Sequence, residues 1–418
     1  MFGWLTGRRA AEAKSSSLDL LRAFLAGSNT GSGQAVTTER ALGVTTVLRC
    51  ATVIGNGCSQ IPFKLYRTTN EGKGREVVTD HPVAKLIGRR PNSWMSPMEW
   101  RRTMTMHATL APFGLSIVTR SIRDRRPMEL LPVPPGWISW KQGADWRIKY
   151  TVTWPDGRRE EHDQSEVFVL RGPTWDGVQG LGAVKYAREA IGLRMAVDES
   201  QAKLFANGAR PGGILTAKAP LDEAQRDELK KAWADMYAGS GSAGKTALLE
   251  GDLSFTSLAM KNTDAETMAL RGQQIEEICR GFGVFPQMVG YSGDKTPTYA
   301  SAEQFFLAHV VHTLQPWHVT WEEAMATQLL TDDEWSEGLY FRYTVAALLR
   351  GTAKDRAEVF KAHIDMGSLN PNQVRAFEEW DEAPELDLYR IPLAMTVVEK
   401  DGKPFIPPKT PAPAPTPQ

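Results

Sequence analysis

Apolar residues recur at helical spacing at Val44, Val47, Leu48, Ala51, Ile54 and Cys58, which predicts a helix ended by Pro62. The period then changes. Ile61, Phe63 and Leu65 alternate with Pro62, Lys64 and Tyr66, the pattern of a strand with one buried face. Residues 113–170 keep strand character at Ile117-Val118, at Tyr150–Trp154 and at Val167–Leu170, and Pro155-Asp156-Gly157 reads as a hairpin turn. Helical spacing returns at Val184, Ala187, Ile191 and Met195. These mark one face of a single helix over 183–207, with Gly208 as its C-cap and Pro211 beyond.

Residues 212–262 change character. A short strand is predicted at Gly213–Thr216, an amphipathic helix from Leu221 to Tyr237 with Leu229, Trp233 and Tyr237 four apart, and two strands at Lys245–Glu250 and Leu253–Met260. A second long helix follows over 265–282, with Met268, Ile275, Ile278, Cys279 and Phe282 on one side. Glu276 stands four residues before Arg280, the favourable order for an ion pair on the exposed face. After a loop at Gly290–Tyr299, a third long helix is expected from Ala302 to Leu330, kinked at Pro316. Further on, Thr352 and Asp355 resemble a capping box, Gly367 stops that helix, and Asn370 caps the next with Pro371 at its first position.

The ends differ from the body. Residues 1–35 are small and polar and predict a flexible arm, and the Pro-rich residues 407–418 predict an extended tail. No internal repeat is found. Mixed helix and strand segments imply an α+β fold, and 418 residues imply two to four packed units.

Composition narrows the function. At 42% hydrophobic residues a sizeable core can be buried, and the 13 Trp suit cores and interfaces. Lys plus Arg equals Asp plus Glu at 49 each, so the chain as a whole is no tight clamp on duplex DNA, and any contact with DNA must be local, weak or transient. Cys50, Cys58 and Cys279 are scattered and odd in number. They form neither a metal pattern nor a disulfide framework, and Cys50 and Cys279 read as buried core thiols in a reducing compartment. Met1–Ser17 has no signal-peptide core, and no apolar run of about 18 residues is present, so no membrane span is expected.

Two chemical motifs need weighing. Gly239–Thr246 fits the phosphate-cradling pattern G-x-x-x-x-G-K-[ST]. That chemistry needs a strand before the loop and a helix after it, so that backbone amides point at the phosphates. Here the predicted order is helix, loop, strand. The two readings are an ATP-hydrolysing enzyme using residues 239–246 and a Gly/Ser-rich turn, and the element order favours the turn. His309, His312 and His318 lie on the third helix, the first two on one side, but without the carboxylate beside His309 that a metalloprotease uses. They read as structural, and no metal or cofactor is expected. The pairs Asp332-Asp333 and Glu322-Glu323 read as solvated faces.

Several stretches, in order, resemble the portal proteins (head–tail connectors) of tailed bacteriophages and of gene transfer agents. They are Val36–Leu42, Ile61–Tyr66, His81–Leu86, Arg90-Pro91-Asn92, Phe205–Leu215, Ile275–Val284 and Asp365–Arg375, spanning roughly 36–385. The chain departs from the family at Ala111-Pro-Phe-Gly114 and Val284-Phe-Pro286. The resemblance implies a portal-type subunit with an α/β wing, long stem helices, a small α/β clip and a helical crown. The flexible arm at 1–35 would precede the wing and first stem helix at 36–208, the clip at 209–262, the second stem helix at 263–290 and a tunnel loop at 291–300. The kinked channel helix and a returning strand near 340 would fill 301–351, the crown 352–390 and the Pro-rich tail 391–418.

The resemblance also implies a non-enzymatic role. It implies a homo-oligomeric ring of twelve that passes double-stranded DNA in packaging and ejection, docks a terminase and then a head–tail adaptor, and meets the major capsid protein. It would be made in the host bacterial cytoplasm and reside in the virion, at the portal vertex of procapsid and mature head. A smaller ring-forming adaptor is the other structural reading. The tunnel loop would set Asp294, Lys295, Thr296, Thr298 and Tyr299 toward DNA, and the stem surface would carry Arg271, Glu276 and Arg280.

Overall fold

The computed structural model describes residues 30–69, 74–206, 213–217, 222–237, 253–257, 264–293, 299–344, 353–378 and 380–389. They form two compact units, divided after Thr344.

The first unit opens with α1 (Thr38–Leu42) and α2 (Thr45–Ser59). Val47, Cys50, Ala51, Ile54 and Cys58 of α2 are fully buried, as their spacing predicts. Next come β1 (Phe63–Thr69), β2 (Gly74–Val77), α3 (Pro82–Gly88) and α4 (Pro97–Leu110). Ser96 and Glu99 cap α4 reciprocally, each satisfying a backbone N–H of the first turn. Six strands follow: β3 (Gly114–Arg120), β4 (Pro127–Val133), β5 (Ile138–Gln142), β6 (Ile148–Thr153), β7 (Arg159–Asp163) and β8 (Val167–Leu170).

The helix predicted over 183–207 is two helices, α5 (Ala183–Tyr186) and α6 (Arg188–Ala206). Ala187 leaves helical geometry between them, with φ −92° and ψ 11°. The break falls where Gly281 lies against Ala187, so tightly that a Cβ at 281 would stand 2.8 Å from the alanine methyl. Gly208 and Pro211 lie outside the described residues.

The chain continues through β9 (Gly213–Ala217), α7 (Glu223–Tyr237), β10 (Leu253–Ser257) and α8 (Asp264–Phe282). It then runs through α9 (Tyr299–His309), α10 (Gln315–Leu329), α11 (Asp332–Ser336) and β11 (Leu339–Tyr343). The strand expected at 245–250 lies outside the described residues.

The third long helix is interrupted differently from the expected kink at Pro316. Val310–Leu314 form a π-helical turn, in which the Gln315 N–H donates to the Val310 carbonyl. Pro316 has no N–H and cannot close a normal turn onto His312, so the ladder widens just before it. The turn also separates His309 from His312. His309 is buried and His312 exposed, which corrects the expectation that both share a side.

Among the described residues four antiparallel sheets result, ordered β11-β1-β2, β4-β3-β8, β5-β6-β7 and β9-β10. The first sheet closes sequence-distant ends, with Leu65 opposite Phe341 and Phe63 opposite Tyr343. Between sheets and helices lies an aromatic core. The ring centroids of Trp100 and Trp321 are 5.3 Å apart, and Phe168 stacks on Trp321 at 5.7 Å. Both of these indoles have their N–H satisfied, Trp100 donating to the Ser116 hydroxyl and Trp321 to Thr105, both at 3.0 Å.

The second unit holds α12 (Ala353–Asp365) and α13 (Pro371–Phe377). Gly367 takes a left-handed φ of 70° and Asn370 caps α13 with Pro371 in its first turn, both as predicted, and Gln373 completes a capping box beyond that expectation. Phe360 stacks on Phe377, and Arg356 bonds Glu378 at 2.9 Å. Thr352, the arm at 1–29 and residues 390–418 lie outside the described residues.

Candidate functional site: the paired long helices

The longest helices among the described residues, α6 and α8, each span 19 residues. They are tied by Asp198 of α6, which accepts from Arg194 on its own helix at 2.9 Å and from Arg271 on α8 at 2.8 Å. Burial pulls this carboxyl upward, but the two guanidiniums outweigh it and hold it below the ordinary range. Asp198 and Arg194 were not singled out from sequence. Their signal was an arginine four residues before an aspartate, the less favourable order within an isolated helix, and the decisive partner comes from another helix.

Arg271, expected on an exposed face, therefore crosses to the neighbouring helix. Glu276 and Arg280 pair as predicted at 3.2 Å, and Arg280 also reaches Glu277. Residues 30–34, part of the predicted arm, are fixed on α6. The Gly31 N–H donates to Glu189 at 3.0 Å, and the Gln34 side chain donates to Glu199.

On its other side α8 packs on α2, where the Cys50 and Cys279 sulfurs are 3.9 Å apart, both fully buried. α8 ends at Gly283, whose φ of 65° calls for glycine, and Thr313 donates its hydroxyl to the Gly283 carbonyl at 2.6 Å. A 3-10 turn at Pro286–Val289 and the left-handed Gly290 lead to Tyr291, which turns back onto Gly272 of α8. Asp294, Lys295, Thr296 and Thr298 lie outside the described residues. Tyr299 begins α9, and its side chain is likewise outside them.

Residues 239–246 are also outside the described residues. The flanking described elements are α7 before them and β10 after, the reverse of the order a phosphate-binding loop requires. The three helix histidines are not brought together. His318 meets the Gly57 carbonyl at 3.2 Å, His309 is buried with no hydrogen-bond partner among the described residues, and His312 is exposed. No described helix is long and apolar enough to cross a membrane.

Against this geometry, the model of the family described as phage portal protein matches residues 45–379. A portal protein of Enterobacteria phage HK97 is 28% identical over 351 residues, covering 84% of this chain and 82% of that one. A probable portal protein of Streptomyces phage phiC31 is 26% identical, covering 90% and 84%. Among solved structures, a chain from the virion of a native gene transfer agent particle matches at TM-score 0.55 and 21% identity, covering 83% of this chain and 94% of that one. An HK97-family phage portal protein from Corynebacterium diphtheriae matches at TM-score 0.56 and 15% identity, covering 76% and 98%.

Proposed function

Because the chain belongs to the phage portal protein family, with a portal role at a phage head, we propose that it assembles into a closed ring of twelve whose central channel passes double-stranded DNA. The family match along 45–379 carries this reading. The ring is supported by the neck of a native gene transfer agent particle, computed with C12 symmetry, whose chain matches this one at TM-score 0.53. Ring closure needs two different faces of each subunit to meet. The exposed apolar residues Phe306, Leu307 and Val311 beside the π turn offer surface for such contact.

In this reading residues 36–208 form the wing and first stem helix, 209–262 the clip, 263–290 the second stem helix, 291–300 the tunnel loop, 301–351 the channel helix and returning strand, and 352–390 the crown. The clip receives a terminase during packaging and a head–tail adaptor afterwards, and the wing meets the major capsid protein. The protein is made in the host cytoplasm and works at the portal vertex of the head. It is a conduit and not an enzyme. Equal numbers of acidic and basic residues suit a channel, because each tightly held phosphate must be released as DNA advances. The ATPase reading through 239–246 is disfavoured by the element order around that loop.

Electron microscopy of the purified protein tests the ring. Closed rings with a central hole are expected, and a monodisperse monomer at micromolar concentration by light scattering would sink the reading. ATP binding that is present in wild type and lost in Lys245→Ala would restore the enzyme. In the tunnel loop, Lys295→Glu should change packaged DNA length more than Lys295→Ala, and less so at high salt.

A further inference from the structure

The zero net charge conceals a local excess. Lys85 of α3 and Arg89 and Arg90 just after its C-terminus, all exposed, lie along an open groove of about 610 Å³ whose lining is completed by Pro82, Leu86, Pro127 and Met128. No carboxylate lines that groove, and none of the three cations has an ion-pair partner among the described residues. Pro82 and Pro127 also border a second groove of about 280 Å³, on the side of the β3–β4 hairpin. The tip of that hairpin carries Arg123 and Arg125, both exposed and likewise without an ion-pair partner among the described residues, whereas Arg126 is met by Asp124 at 3.5 Å.

Two features argue against an ordinary solvated face. Arg125 sits at φ 57°, a left-handed position that glycine or asparagine fills with less strain. Its charge also acts on Arg120 beneath it, where burial and the like charge of Arg125 together disfavour the guanidinium. Asp124 and Glu334, the carboxylates of the second groove, already meet Arg126 and His81, so the fold holds Arg120 and Arg125 close together with neither carboxylate paired to them. Such an arrangement gains when an external polyanion supplies the missing charge, and the forked guanidiniums match phosphate oxygens in pairs.

We propose that Lys85, Arg89, Arg90, Arg123 and Arg125 form an outer docking face for the phosphate backbone of double-stranded DNA, separate from the channel and gripping DNA that has already entered the head. The inference rests on the portal reading, which brings the subunit next to packaged DNA. DNA is favoured over an acidic protein segment because the α3 groove is open and the five cations are spread over the end of α3 and the tip of a separate hairpin. A row of evenly spaced phosphates spans such a layout, whereas a peptide would need an enclosed apolar pocket for its side chains.

Closed circular plasmid DNA separates this face from the channel, since DNA without ends cannot thread a closed ring. Wild-type rings should bind it at about 50 mM salt and release it near 200 mM, as counterion release requires. Lys85→Ala/Arg89→Ala/Arg90→Ala should weaken binding at least about tenfold and lower the salt slope by roughly 2 to 3, near 0.9 per lost phosphate contact. Arg123→Ala/Arg125→Gly, which also relieves the left-handed strain, should act in the same direction and serves if the triple variant fails to fold. Arg147→Ala/Lys149→Ala/Arg159→Ala, removing exposed cations from the β5–β6–β7 sheet, should stay within about twofold of wild type, a limit set by the screening of remote surface charge. Rings whose affinity for circular DNA is unchanged by both patch variants, or reduced equally by the control, overturn the proposal. So does wild type that binds polyglutamate but not the plasmid. Failure of the wild type to form rings at all overturns the portal reading instead.

Discussion

The Tyr291 hydroxyl lies directly over Gly272 of α8, so that the start of the loop leading to α9 is latched onto the middle of the second long helix. A Cβ at 272 would fall on that oxygen. Alanine in a helix interior is otherwise favoured over glycine by about 1 kcal/mol. The side chain that must move is the far end of a tyrosine, which can swing away. Gly272→Ala should therefore leave the melting temperature level or slightly raised while freeing residues 291–300. Limited proteolysis read by mass spectrometry should show faster cutting in that loop, and an unchanged cleavage rate would contradict the latch.

Asp198→Asn should loosen α6 from α8. The carboxyl is held low by two arginines, so its contribution is present above the unfolded value near 3.9 and fades as pH falls through the lower folded value. Since the side chain is 42% exposed, the expected loss at pH 7 is only about 0.5 to 1 kcal/mol. Melting temperatures of wild type and variant should converge as pH falls through the folded value. A gap that persists there would assign the effect to packing.

Burial pushes His309 and His107 down to about 4. Both stay neutral in the folded chain while the unfolded chain binds protons below about 6.5, so the stability they contribute should fall as pH drops from about 6.5 toward 4 and level off beneath. His309→Leu removes a buried ring with both nitrogens unpartnered among the described residues. Relative to wild type it should be more stabilising at pH 5 than at pH 7, by roughly 1 to 2 kcal/mol. Parallel pH profiles of melting temperature would refute this.

All three thiols are fully buried. Burial pushes Cys58 up to about 12, and the contact with Cys279, followed by burial, raises Cys50. A maleimide reagent at pH 7.5 should leave native protein unlabelled and modify three thiols in denaturant. Labelling of Cys50 or Cys279 in the native protein at a free-thiol rate would show that α2 and α8 separate in solution.

Much of the architecture follows from local pattern. The buried stripe of α2, the extent of α8, the Gly367 stop and the Asn370 cap all rest on interactions within a few residues, which sequence spacing expresses directly. The Glu276–Arg280 pair is legible for the same reason, being one turn apart on a single helix.

What tertiary structure decided involves partners far apart in the chain. Arg271 reads as a surface residue until Asp198 arrives from 73 positions away. The helix over 183–207 divides at Ala187, where Gly281 of another helix lies against it, and the Pro316 interruption spreads into a π turn that parts His309 from His312. The basic face is likewise invisible as a sequence run, because α3 and the β3–β4 hairpin are about 40 residues apart and become one surface only when the body folds. Hydrophobic period specifies which face of an element is buried. It carries no record of which other element covers that face, and that is where the Asp198–Arg271 pair, the break at Ala187 and the basic groove are set.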